Sequence, residues 1–206
     1  MSTSGTLSMP RKRGSRPLSK KILIVGDGQS EVVYFERIKI LNPNLRVISK
    51  GTGKTGISEA IRKAKGIVKQ VGLNPKLGDR IAIVTDLDLR YNMSDVNNMV
   101  CQCEKNGFEL YLSNPCFEVW LIHHTHKLES YTDPGELVEK LNDIMIKKDG
   151  NPYCKSEGIH YDRGMVEVAI LNSSSGVSDD KCTPTWCLNN NPSTMIHLLI
   201  KSIMPK

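Results

Sequence analysis

Ile81-Ala82-Ile83-Val84 is an unbroken apolar run that leads, through Thr85, into Asp86-Leu87-Asp88. A short apolar run without alternation reads as a strand buried on both faces, the kind found in parallel sheets covered by helices. Ending such a strand in two acids works against folding. Taking one carboxylate out of water is costly, and a second one a few ångströms away adds like-charge repulsion. A hydrated divalent cation is the common compensation at the carboxyl edge of an α/β sheet. The structural alternative is that one Asp closes the strand-end turn or caps the next helix.

The rest of the chain fits around that strand. Lys21-Ile22-Leu23-Ile24-Val25 is a first strand, and Gly26-Asp27-Gly28-Gln29-Ser30-Glu31 is a tight strand-to-helix turn, with Ser30 as the expected N-cap. Val32, Tyr34, Phe35, Ile38 and Leu41 carry helical spacing up to Asn42-Pro43-Asn44, and Leu45-Arg46-Val47-Ile48 is a short second strand. A helix is predicted from Ile57 to Val71, and another from Ser94 or Asp95 to Glu104. A fourth strand follows over Phe108–Leu112. Strands alternating with helices predict an α/β fold: a parallel four-stranded sheet flanked by helices. Residues 126–206 read as a mostly helical C-terminal part packed on this core. Its helices run from Asp133-Pro134-Gly135-Glu136 to Lys148, from Tyr161 to Leu171 and from Ser193 to Ile203, with a polar, loop-like stretch over Ser173–Pro192.

Charge divides the chain differently. The formal net charge of +6 lies wholly before Asp27, where Arg11, Lys12, Arg13, Arg16, Lys20 and Lys21 precede any acid. The remainder holds 22 basic against 22 acidic residues. Residues 1–20 are rich in Ser, Gly and Pro as well as basic, and such an arm cannot bury enough apolar surface to order itself. Its functional reading is phosphate contact, and six contacts to a single strand give a log–log salt slope of roughly −4. Its bland reading is a solubilising tail.

Composition also excludes several classes. No apolar stretch reaches the length of a membrane span, and the basic N-terminus lacks the apolar core of a secretory signal, so a cytoplasmic location is expected. The six cysteines are too scattered for a disulfide scaffold and lack paired zinc-ligand spacing. Gly51-Thr52-Gly53-Lys54-Thr55 fails as a P-loop, because the position five before Gly53 is Ile48 rather than Gly. Lys54 remains a candidate for phosphate contact from a flexible loop.

Ligands of open parallel sheets bind beyond the carboxyl ends of the strands. If the first and third strands are neighbours, Glu31 shares that crevice with Asp86 and Asp88. Glu118 enters from the start of the next helix, either facing the same crevice or favouring the helix dipole. An all-oxygen set of this kind suits Mg2+ or Mn2+ and supports phosphodiester hydrolysis, with a basic residue neutralising developing charge. His123 and His124 lie too far down the helix for both to reach the edge, and read as structural or surface histidines.

With Gly28-Gln29-Ser30-Glu31, Asp86-Leu87-Asp88 and Ser113-Asn114-Pro115-Cys116-Phe117-Glu118-Val119-Trp120 in view, the chain resembles the RloB-like family of the topoisomerase–primase (Toprim) superfamily. The likeness runs from Lys21 to the end and takes in Asn191-Pro192-Ser193-Thr194. It implies a Toprim-like, Rossmann-like core over residues 21–125 and a metal-dependent nuclease, an effector of anti-phage defence and abortive infection. RNA, tRNA in particular, is somewhat favoured over DNA as the substrate, and an ABC- or AAA-type ATPase is the implied partner. The resemblance makes Glu31 a metal ligand or general acid/base and makes Asp86 and Asp88 metal ligands. It puts a charge-stabilising base at Lys155, within Tyr153-Cys154-Lys155. The chain departs from the usual Glu-Gly of the first turn by carrying Asp27-Gly28, which keeps an acid.

Topoisomerase and primase activities lack the domains they need. A phosphatase with an Asp-x-Asp nucleophile is disfavoured, because its acids follow the first strand. The competing reading is a non-catalytic subunit that binds nucleic acid or an ATPase. A homo-oligomer is compatible with either.

Overall fold

The computed structural model describes residues 20–38, 42, 46–51, 56–130 and 133–205. Arg11, Lys12, Arg13, Arg16 and Lys54, the expected nucleic-acid contacts, lie outside the described residues. In chain order the elements are β1 (Lys21–Gly26), α1 (Gln29–Ile38), β2 (Arg46–Gly51), α2 (Ile57–Val71), β3 (Arg80–Asp86), α3 (Met93–Lys105), β4 (Glu109–Asn114), α4 (Glu118–His123), α5 (Pro134–Asp149), α6 (Arg163–Ser174), α7 (Pro184–Asn189), β5 (Ser193–Thr194) and α8 (Ile196–Ile203).

The strands form one sheet in the order β2-β1-β3-β4-β5. β1 pairs with both β2 and β3, and β3 pairs with β4, all in parallel. The juxtaposition of the first and third strands, on which the shared crevice depends, is therefore present. The sheet is not the four-stranded parallel sheet the sequence predicts. β5 adds a fifth, antiparallel strand, with Ser113 opposite Thr194 and Asn114 opposite Ser193. Two residues are too few to show a period-2 pattern, so the sequence merges them into the last helix, which begins only at Ile196.

Alternation along the central strands separates two cores. Ile22, Ile24, Ala82 and Val84 point to one face, against Phe35 of α1, Trp120 of α4, Leu137 and Leu141 of α5, Val166 of α6 and Leu199 of α8. Leu23, Val25, Ile81 and Ile83 point to the other, against Ala60, Ile61 and Ala64 of α2 and Cys103 of α3. The C-terminal helices thus share the core of the sheet's first face. A third cluster joins Leu87, Val96 and Leu112 to Cys182, Cys187 and Met195.

Local chemistry sets the helix ends. Asn92, not Ser94 or Asp95, caps α3, and Asp95 completes a capping box. Asp133 and Glu136 make the same device at α5, the helix the sequence starts at Asp133-Pro134-Gly135-Glu136. Thr183 caps α7, a helix within the stretch expected to be loop, by accepting from the Trp186 N–H. Ser30 lies inside the first turn of α1 instead of capping it, and its hydroxyl is used elsewhere. No helix among the described residues is long and apolar enough to cross a membrane.

Candidate functional site

Three strand ends build the site. At the first, Gly26 and Gly28 let the chain fold back tightly enough for α1 to bring Glu31 over the sheet edge. A Cβ on Gly26 would lie 2.7 Å from Glu31 Cβ, and one on Gly28 2.9 Å from Glu31 Oε2. At Gly26 only glycine leaves that room, while a side chain at Gly28 would displace the Glu31 carboxylate. Glu31 is 3% exposed. Asp27, from the same turn, accepts a hydrogen bond from the Thr85 hydroxyl of β3.

The second end is Asp86-Leu87-Asp88. Leu87 is buried in the third cluster and pins the turn, while its N–H donates to the Ser113 carbonyl at 2.9 Å and the Asp88 N–H donates to the Pro115 carbonyl at 2.8 Å. Asp88 and Leu89 adopt positive φ, +46° and +57°, conformations that non-glycine residues rarely hold without surrounding support.

The third end explains two sequence motifs together. Ser113-Asn114-Pro115 meets Asn191-Pro192-Ser193-Thr194 across the β4–β5 pair, and both X-Pro bonds are cis. The Ser113 and Thr194 hydroxyls are 2.9 Å apart, and the Asn114 amide reaches the carbonyls of Cys187, Leu188 and Asn190 at 3.0–3.1 Å. Immediately after, Phe117 and Trp120 bury themselves around Tyr34, which leaves Glu118 between them to face the other acids.

Asp27, Glu31, Asp86, Asp88 and Glu118 line one pocket of about 180 Å3 with Lys155 on its rim. Glu31 titrates at about 7, raised first by burial and then by the charges of Glu118 and Asp27, against hydrogen bonds from backbone N–H groups of Glu31 and Gly28. Asp86 is held well above the ordinary carboxylate range, again by burial first and then by Glu31, Glu118, Asp27 and Asp88. Asp86 Oδ1 is buried and accepts no hydrogen bond. Two of the acids are matched by cations: Asp88 pairs with Arg90, and Glu118 Oε1 lies 3.1 Å from Lys155 Nζ. Ser30 Oγ donates to Glu118 at 3.4 Å and accepts from the Tyr153 hydroxyl at 2.8 Å.

The donor chemistry fits a hard divalent cation: four expected carboxylate ligands, a fifth acid at Asp27, and an orphaned buried oxygen on Asp86. Among the described residues, no three His, Cys, Asp or Glu side chains are arranged to hold an ion as they stand. The pairing of Asp88 with Arg90 and of Glu118 with Lys155 turns both acids toward cations the chain already has.

Glu31, Asp86, Asp88, Glu118 and Lys155 are therefore brought together. His123 and His124 are not part of the pocket. His123 Nδ1 lies 2.6 Å from Ser173 Oγ. His124 stacks on Tyr161 with ring centroids 3.7 Å apart and donates from Nδ1 to the Trp120 carbonyl, leaving Nε2 to accept from the Tyr34 hydroxyl. The roles of Ser30 and Tyr153 are not visible in the sequence. Their only signal is proximity to motif residues, Ser30 beside Glu31 and Tyr153 two before Lys155.

A family model described as RloB-like protein matches residues 22–203. No curated protein matches the chain.

Proposed function

The chain belongs to the RloB-like family, and we propose that it is a Mg2+- or Mn2+-dependent nuclease with a Toprim-like core that hydrolyses phosphodiester bonds in nucleic acid, RNA or tRNA ahead of DNA. The observation that carries this reading is the unpartnered, buried Oδ1 of Asp86 among four further carboxylates, with a lysine at the rim. A buried acid cluster with no internal counterion at its centre is costly to fold, and functional sites are where such a cost persists. Glu31, Asp86 and Asp88 would hold the cation, with Glu118 as a fourth candidate. When bound, the ion supplies Lewis-acid polarisation of the phosphoryl group and lowers the pKa of a coordinated water.

The chain's own residues then have distinct tasks. Asp86 is fixed at the end of a buried strand and orients the site. Glu31 serves either as a ligand or, where the cation leaves it free, as the group that takes or gives a proton at the attacking water, being a carboxyl that burial makes easier to protonate. Lys155 neutralises charge on the phosphate or on the leaving oxygen. The basic residues Arg11, Lys12, Arg13, Arg16 and Lys54 are proposed to hold the phosphate backbone away from the cut. We place this activity in the cytoplasm, as the effector of a phage-defence system gated by an ABC- or AAA-type ATPase.

The direct test is cleavage of bulk tRNA, messenger-like RNA and duplex DNA by the purified protein with Mg2+, Mn2+ or EDTA, beside Glu31→Gln and Asp86→Asn. Metal-dependent cutting that both substitutions abolish is the expected result. The engagement of Asp88 by Arg90 and of Glu118 by Lys155 favours a second reading, a non-catalytic binding subunit. That reading is correct if the folded protein cuts nothing with either metal, alone or with a neighbouring ATPase, while still binding nucleic acid.

A further inference from the structure

Lys155 reaches the pocket on an irregular segment between α5 and α6, and that segment is fastened to α1 at three points. The Tyr153 hydroxyl donates to Ser30 Oγ, Arg37 donates to the Glu157 carbonyl, and Gly158 lies against Val33 so closely that a Cβ there would be 2.4 Å from Val33 Cγ1. Ser30, Val33 and Arg37 follow the i, i+3, i+7 spacing of one helix face. The helix that carries Glu31 therefore also fixes where Lys155 enters. The pair it makes is asymmetric: the Glu118 side chain is 5% exposed, whereas that of Lys155 is 52% exposed. The acid is the fixed member, and the lysine is the one that can leave.

We propose that Lys155 is a tethered counterion with two successive partners. Without a divalent cation its ammonium holds Glu118 and neutralises part of the acid cluster. With the cation bound, Lys155 is released from Glu118 and its ammonium is free to meet a substrate phosphate. Lys155 thereby sets how tightly the site takes its metal, in addition to acting on the substrate. This rests on the metal reading of the pocket, and deepens it by making cation affinity a property of a segment in the C-terminal part.

The charge arrangement supports the exchange. Among the acids lining the pocket, Asp88 and Glu118 carry ion pairs to Arg90 and Lys155, while the inner oxygen Asp86 Oδ1 has no hydrogen-bond partner. Lys155 lines the same pocket as the acids, so a divalent ion bound there would be repelled by its charge. Removing a unit charge a few ångströms from a divalent ion in a half-solvated site should tighten binding by about tenfold.

The experiment is Mn2+ titration of the full chain by calorimetry and electron paramagnetic resonance, without nucleic acid, for the wild type, Lys155→Met and Lys155→Arg. Amine labelling of Lys155, read by mass spectrometry with and without Mn2+, accompanies it. Expected are about tenfold tighter Mn2+ binding by Lys155→Met, wild-type affinity in Lys155→Arg, and faster labelling of Lys155 in the wild type when Mn2+ is present. Unchanged or weaker binding by Lys155→Met, or labelling that Mn2+ leaves unchanged or slows, overturns the exchange while leaving the metal site intact. Absence of Mn2+ binding in both wild type and Lys155→Met, with thermal melts showing both folded, overturns the exchange and the metal reading together.

Discussion

In EDTA, Glu31→Gln should make the protein more stable at pH 8 and not at pH 4.5. Glu31 titrates at about 7 in the folded chain against 4.5 for the free group, chiefly because it is buried. A carboxyl whose folded pKa is raised favours the protonated native state. Its ionisation therefore weakens folding progressively from pH 4.5 to about 7, and by a constant amount above that. The gap corresponds to about 3 kcal/mol at full ionisation. Glutamine keeps the shape and an oxygen for the backbone N–H donors, and its amide can donate to a neighbouring carboxylate, so most of that penalty is removed. We expect a gain of about 1–3 kcal/mol at pH 8, or about 3–10 °C in Tm for a chain of this size. Thermal melts by circular dichroism in EDTA at pH 4.5, 6 and 8 give the comparison directly. Saturating Mn2+ should then reverse the order, because a cation at about 1,000 times its Kd adds about 4.1 kcal/mol to a wild type that can bind it. A variant less stable than wild type at pH 8 in EDTA, or a difference that does not change with pH, would refute the claim that uncompensated charge strains this pocket.

Three further outcomes follow from the same geometry. Burial lowers His123 to about 4, so its neutral form is favoured in the fold. The stability this contributes is present above pH 6.5 and lost as pH falls toward 4, about 2 kcal/mol of it by pH 5, and urea melts of His123→Gln should show a shallower acid limb. Gly158 has φ +63° and faces Val33; Gly158→Ala should cost about 2–3 kcal/mol, and protease cleavage near Tyr153–Lys155 should rise with it. Removing residues 1–19 takes away Arg11, Lys12, Arg13 and Arg16, which should flatten the log–log salt dependence of single-strand binding by about 3, measured by fluorescence anisotropy; an unchanged slope would make the arm a solubilising tail.

What the sequence disclosed depended on whether the signal was periodic. The buried runs of β1 and β3 and the stripe of α2 announced themselves, because a face buried over several residues leaves a pattern. Ser193-Thr194 did not, since a two-residue strand defined by its partner β4 has no pattern of its own. Asn92 does not stand out as the cap in the sequence, because Ser94 and Asp95 are equally good capping residues and only the fold decides which N–H groups need satisfying. The acids of the pocket were legible for a different reason. A charge at the end of an apolar strand is an energetic contradiction visible in one dimension, and it holds for Asp86; Glu31 was legible from its place just after the turn that follows the neighbouring strand. Glu118 remained open between a dipole role and a site role, because the answer turned on Phe117 and Trp120 taking the buried directions around Tyr34. Ser30 and Tyr153 were invisible for the opposite reason: a hydroxyl 123 positions away in sequence leaves no local trace.

That long-range contact is also why the C-terminal part belongs to the functional argument. Tyr153, Lys155 and Gly158 all act on α1 or its neighbours, and Thr194 holds the strand end from which Asp88 is bonded. The acid cluster sits on strand ends that the core makes rigid. The groups that could change its charge balance, Lys155 and Arg90, sit on loops with half or more of their side chains in water. A site built that way keeps its carboxylates in place and leaves its counterions on the solvent side.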